Sequence, residues 1–139
     1  MPETSPGQPE GGPYEWLRRG TQLLQDGHAA AAATVLQHAA ESEPGSAMVL
    51  ETLGRAQFAA ARYDDAAATF ARLVERNPDA DYARFGLGSA LARLNRFEEA
   101  AEHLALAVAM RPDRREYADR LRQVRATLTA RRDAGLADR

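Results

Sequence analysis

The sequence contains no cysteine, no lysine and no isoleucine, few aromatic residues (four Phe, four Tyr, one Trp) and only three histidines. Without cysteine there is no disulfide, no thiolate nucleophile and no Cys-ligated zinc or iron–sulfur centre. His28, His38 and His103 are scattered, without i,i+4 partners or paired carboxylates beside them, so neither a metal site nor a catalytic histidine is expected. No apolar run approaches the ~20 residues of a membrane span. No basic start leads into an apolar stretch of secretory type. The chain also lacks a basic excess: its formal charge is −2, which argues against a dedicated nucleic-acid binder. The expectations are a cytoplasmic chain with no cofactor, no nucleic acid and no membrane partner. The missing Lys and Ile are associated with GC-rich bacterial genomes.

What is abundant is alanine, about 30 of 139 residues, and arginine, which supplies all 18 strong bases. Alanine richness with few β-branched aliphatics points to helix. The length suits one domain. Residues 1–12, with three Pro, three Gly and nothing to bury, predict a disordered leader. Charge divides along the chain, with a net of −3 over 13–112 and +3 over 113–139. The basic end reads as a solvated helix face with i,i+4 pairs such as Glu116 with Arg120.

Self-comparison reveals a period. Pro44, Pro78 and Pro112 lie 34 residues apart, as do Gly20, Gly54 and Gly88, then Ala32, Ala66 and Ala100, and the bulky Leu36, Phe70 and Leu104. The chain therefore divides into units 13–46, 47–80 and 81–112, each predicted to be two short helices. In the third, Tyr82, Phe85, Leu87 and Leu91 space a helix over 81–93, and Phe97, Ala100, Leu104, Ala107 and Val108 space a second. The prolines stop each second helix. Asp26-Gly27, Ala61-Arg62 and Leu94-Asn95 occupy the turns within the units. Mid-helix glycine costs ~1 kcal/mol, so its recurrence implies close approach. The expected contact is the second helix of the same unit through Ala32, Ala66 and Ala100, with Leu36, Phe70 and Leu104 in the layer below. Such hairpins cannot cover their own apolar faces and must stack. Residues 113–132, with a single stripe of Tyr117, Leu121, Val124 and Leu128, read as a capping helix, and 133–139 as a short polar tail.

These columns closely resemble the tetratricopeptide repeat (TPR) family. Trp16, Gly20, Leu23, Ala32, Leu36, Ala39 and Pro44 stand in its motif spacing, as do Leu50, Gly54, Ala66, Phe70, Leu73 and Pro78. The third unit supplies Leu87, Gly88, Leu91, Ala100, Leu104, Ala107 and Pro112. Leu50 and Arg84 stand where the family prefers Trp, and Leu23, Gln57 and Leu91 where it prefers Tyr. The resemblance implies an all-α fold, a helical-hairpin repeat solenoid of three units with a C-terminal capping helix. It also implies a concave groove, lined by the first helices, that holds a peptide or helix of a partner protein.

Matching faces gives Tyr14, Arg18 and Thr21, then Met48, Glu51, Thr52 and Arg55, then Tyr82, Phe85, Ser89 and Arg93 as groove candidates, with Asp119 nearby from the cap. Phe85 and Tyr82 are the expected anchors, and Arg18, Arg55 and Arg93 the expected partners for carboxylates or carbonyls. Leu17, Leu24 and Phe58 share these faces but serve equally well as packing. The family's chaperone-tail clamp would need Lys and Asn where this chain has Leu17, Thr21, Thr52, Tyr82 and Gly86, so no chaperone carboxylate clamp is expected. Gly86-Leu87-Gly88 lacks the strand that a dinucleotide loop requires. Asp64-Asp65 and Glu98-Glu99 fit the first turns of helices, where carboxylates oppose the helix dipole. The expected function is a non-enzymatic adaptor. The alternative is a self-associating repeat protein, pairing through the Arg-rich cap or the Tyr14 and Trp16 side of the first helix.

Overall fold

The structure, a computed structural model, describes residues 9–137; the leader expected over 1–12 lies outside the described residues for positions 1–8. Seven helices follow in order: α1 (Pro13–Gln25), α2 (Ala29–Ser42), α3 (Ala47–Ala59), α4 (Tyr63–Arg76), α5 (Asp81–Arg93), α6 (Phe97–Met110) and α7 (Arg115–Ala137). The fold is all-α, a row of helical hairpins, and there is no strand among the described residues. The last helix runs five residues past the expected 132, because Asp133, Ala134 and Gly135 bring no helix-terminating proline.

Helix ends follow local chemistry. Gly27, Ala61 and Asn95, themselves 34 residues apart, all take positive φ (85°, 61° and 63°). The amides of His28, Arg62 and Arg96 then donate back to the carbonyls of Leu23, Gln57 and Leu91 at 2.8, 2.8 and 2.9 Å. This is a left-handed helix cap repeated three times. Ala61, which the sequence marks weakly as a turn, adopts the same geometry as Gly27 because the hairpin requires it. Glu43, Asn77 and Arg111, each preceding a proline, leave the helical region with φ of −128°, −130° and −135°. Asp64-Asp65 and Glu98-Glu99 do fall in the first turns of α4 and α6.

Every helix packs on the next, and α1, α3, α5 and α7 also touch in succession, whereas α2, α4 and α6 do not touch one another. The odd-numbered helices therefore form the inner layer. Between the layers lie Trp16, Leu36, Leu50, Leu53, Phe70 and Leu104, closed at the far end by Tyr117, Leu121 and Val124 of α7.

The recurrent glycines admit a different neighbour from the one expected. A Cβ on Gly20 would meet Leu36 at 2.4 Å, on Gly54 would meet Phe70 at 2.7 Å, and on Gly88 would meet Leu104 at 2.7 Å. The nearest approach is thus made by the bulky column; the Ala100 carbonyl follows at 3.1 Å from the Gly88 position. Ala32, Ala66 and Ala100 are buried all the same. Pro44, Pro78 and Pro112 are exposed at the turns between units.

At the first helix, Trp16 is buried, and its indole N–H donates to the carbonyls of Pro9 (3.2 Å) and Glu10 (3.1 Å). Residues 9–12 are therefore tied onto α1. This corrects the expectation that Trp16 offers an open face, while Pro9, Glu10, Gly11 and Gly12 themselves stay half-buried or exposed.

Candidate functional site

On the inner layer Leu24, Arg55, Phe58, Ala59, Phe70, Tyr82, Phe85, Gly86, Ser89 and Arg120 enclose an open cavity of about 360 Å³. A second, of about 400 Å³, continues toward α7 and shares Phe58, Ser89 and Arg120 with the first, adding Arg93, Phe97, Gln123 and Thr127 among others. A third lies on the other side of Arg55 and Tyr82, bounded by Glu51, Asp81 and Arg114. Together these make a trough across α3, α5 and α7.

An aromatic row stiffens its floor. Phe70 meets Tyr82 edge-on (6.2 Å between centroids), Tyr82 meets Phe85 (6.0 Å), and Phe85 stacks on Tyr117 at 4.7 Å and 24°. The Tyr117 hydroxyl donates to an Asp81 carboxylate oxygen at 2.7 Å, which pins the capping helix to the start of α5. Burial raises the Tyr117 phenol far above its ordinary range, and the adjacent Asp81 reinforces this. The Tyr82 phenol is also raised, chiefly by burial, with Glu51 and Glu116 adding and Arg55 opposing.

The candidates from the sequence do not all converge on one place. Arg55, Tyr82, Phe85 and Ser89 are brought together around one cavity, and Leu24 and Phe58 join them. Tyr14 (73% exposed) and Met48 (65%) project into solvent away from it. Arg18 sits on a separate rim, with Glu10, Glu15 and Arg19, 3.8 Å from the Glu15 carboxylate. Thr21 and Thr52 donate to the carbonyls of Leu17 and Met48, both at 2.8 Å, and Thr52 is buried. Arg93 is engaged by Tyr63: its guanidinium donates to the Tyr63 hydroxyl at 2.7 Å and lies 5.0 Å from the ring centroid.

Phe85 is not the exposed anchor expected. It is buried in the stack with Tyr117 because the capping helix covers it. Glu116 and Arg120 are not an ion pair among the described residues; Asp119 pairs with Arg122 instead. The Arg120 guanidinium lies 5.5 Å from the Phe85 centroid, held over the ring face. The sequence candidates omitted Ala59, Phe97, Gln123 and Thr127, which line these cavities, and also Arg120. The period could have found Arg120, since 120 shares a column with 18, 52 and 86.

Ser89 is distinctive. It is 3% exposed, and its Oγ is buried without a hydrogen-bond partner among the described residues, although it lines both inner cavities. Neither cavity is lined by a carboxylate, while Arg55, Arg93 and Arg120 line one or both. Among the described residues, no helix is long and apolar enough to cross a membrane.

A family profile described as tetratricopeptide repeat matches residues 51–115. Mouse superkiller complex protein 3 is 32% identical over 100 residues, which is 72% of this chain but only 6% of that much longer protein. Among solved structures, the first TPR of Spaghetti (RPAP3), bound to the HSP90 peptide SRMEEVD, superposes with a TM-score of 0.80. It is 17% identical, and the match covers 90% of this chain and 99% of that one. The Yersinia enterocolitica type III secretion chaperone SycD, in complex with a peptide of the translocator YopD, gives 0.69 at 19% identity, covering 84% and 89%. At these identities the likeness is one of fold, and no enzymatic family is indicated.

Proposed function

This chain belongs to the tetratricopeptide-repeat family, and on that premise we propose that it is a non-enzymatic interaction module holding a segment of another protein in its concave trough. The observation that carries this is the open cavity between α3, α5 and α7, where apolar walls meet Arg55 and Arg120, neither of which is in an ion pair among the described residues. Clefts of several hundred cubic ångströms with apolar walls and few convergent polar groups suit ligand capture. Two proteins of the same fold hold peptides, one from HSP90 and one from YopD. This chain lacks the family's chaperone-tail clamp, since Leu17, Thr21, Thr52, Tyr82 and Gly86 occupy its positions. Its partner is therefore a segment of another kind.

The test uses the retained partner from a native lysate, identified and then titrated directly. The double variant Arg55→Ala with Tyr82→Ala should bind about tenfold more weakly while keeping the helical signal of the parent. Unchanged affinity in that folded variant would place the partner elsewhere.

Self-association is the second reading. It is supported by the exposed Tyr14 and Met48, which share one column, although Trp16 no longer contributes. A monomer at tens of micromolar by light scattering would remove it.

A further inference from the structure

We propose that the trough contains a carboxylate subsite formed by Ser89, Arg55 and Arg120, and that the segment it holds carries an Asp or Glu side chain there beside an apolar one. The inference rests on the interaction-module reading above and deepens it by naming the chemistry of the occupant.

Three observations converge. The Ser89 hydroxyl is buried, lines both inner cavities and has no hydrogen-bond partner among the described residues. In the same column Thr21 satisfies itself on the Leu17 carbonyl at 2.8 Å, so the orphaned hydroxyl is specific to this position. An unmet buried donor costs stability, and an acceptor supplied from outside removes that cost. Arg55 and Arg120 line the same cavity and make no ion pair among the described residues. Finally, no carboxylate lines either inner cavity; Glu51 and Asp81 stand in the third cavity, beyond Arg55 and Tyr82, so the inner cavities carry arginine charge without a carboxylate of their own. Phe85 holds Arg120 over its face, at 5.5 Å, and fixes where the charge sits. Leu24, Phe58 and Tyr82 provide the adjoining apolar wall.

This subsite is built from other residues than the chaperone-clamp positions. Of those, only Tyr82 and Gly86 border the cavity, and neither carries a positive charge. Carboxylate is favoured over a neutral acceptor because two guanidinium groups share the cavity, and charged hydrogen bonds are roughly twice as strong as neutral ones.

The test is selection of a random dodecapeptide phage library on the full chain and on three variants: Ser89→Ala, Arg120→Gln and the exposed control Arg72→Gln. Wild type should enrich Asp or Glu at one position, next to an apolar residue. A synthetic peptide of the selected sequence should lose about tenfold in affinity on its Glu→Gln or Asp→Asn change, the size expected for one charged hydrogen bond. Ser89→Ala and Arg120→Gln should lose this discrimination, and Arg72→Gln should keep it. Ser89→Ala should also melt higher than wild type, because it removes the orphaned hydroxyl, whereas a structural serine would melt lower. Peptides that bind the trough with no acidic preference would overturn the subsite and leave the groove reading standing. Failure of any peptide to enrich would overturn both. Binding of a phosphoserine form of the selected peptide but not its acidic form would replace carboxylate with phosphate and overturn this assignment.

Discussion

The ring of Phe70 leaves no room for a side chain at Gly86: a Cβ there would stand 2.6 Å from its Cζ. Gly54 faces the same ring from within the hairpin, at 2.7 Å. One aromatic side chain of α4 is thus seated between glycines of α3 and α5, and it helps to join the second unit to the third. Where the bulky residue is Leu36 or Leu104, the column of Gly86 holds Thr52 or Arg120 instead. The second glycine accompanies the larger ring.

Gly86→Ala should therefore destabilise the domain. Alanine gains ~1 kcal/mol of helix propensity, but forcing a methyl into a closed site beside a rigid ring costs about 1–3 kcal/mol. With the ring held on both sides, the clash dominates. Phe70→Leu in the same chain should recover part of the loss. Gly135→Ala, whose Cβ meets nothing within 4 Å, should be neutral or stabilising. Urea unfolding of the four proteins measures all of this.

The turn at Ala61 stores strain that glycine avoids at position 27 and that asparagine, which tolerates this conformation better than alanine, lessens at position 95. An L-residue with a Cβ at φ 61° is disfavoured by roughly 1 kcal/mol relative to glycine. Ala61→Gly should raise stability by about 0.5–1 kcal/mol, and Gly27→Ala, at φ 85°, should lower it by a similar amount. Thermal melts of the two variants should move in opposite directions.

Gln57 occupies a buried position where the other units carry Leu23 and Leu91, and its Oε1 accepts from the Thr69 hydroxyl at 2.6 Å. Thr69→Val alone should cost about 1–3 kcal/mol by orphaning the amide oxygen. Gln57→Leu with Thr69→Val reproduces the Leu23 and Val35 pair of the first unit, so the double variant should recover most of that loss. A double-mutant cycle in denaturant gives the coupling directly.

His103 provides a pH signature. Burial lowers its pKa and the neighbouring Arg84 lowers it further, against opposition from Glu102 and Glu99. A histidine whose folded pKa is depressed binds fewer protons in the native state than in the unfolded one. Stability is therefore lost as pH falls through its unfolded pKa of about 6.5, and levels off below the folded pKa. His103→Gln should flatten the stability profile in that interval; an unchanged slope would assign it to other groups.

Much of the architecture is legible in the sequence because a hairpin solenoid writes its packing as a period. The prolines, the mid-helix glycines and the bulky column each recur where the helices need them. What escaped depends on contacts between units. Phe85 is buried because Tyr117 comes from the capping helix to stack on it. Arg120 reaches the trough for the same reason, although its column was available. The covering of Trp16 by residues 9–12 uses backbone carbonyls, which carry no sequence signal. The role of Gly86 follows from Phe70 being larger than leucine, a difference in size that a column-by-column reading passes over.

The trough as the binding surface is tested most directly by amide correlation spectra of the isotopically labelled chain titrated with a library-selected peptide. The account predicts the largest shifts around Arg55, Phe58, Tyr82, Ser89 and Arg120, with the outward faces of α2, α4 and α6 unmoved. Shifts concentrated on those outward faces, or around Tyr14 at the N-terminal rim, would contradict it.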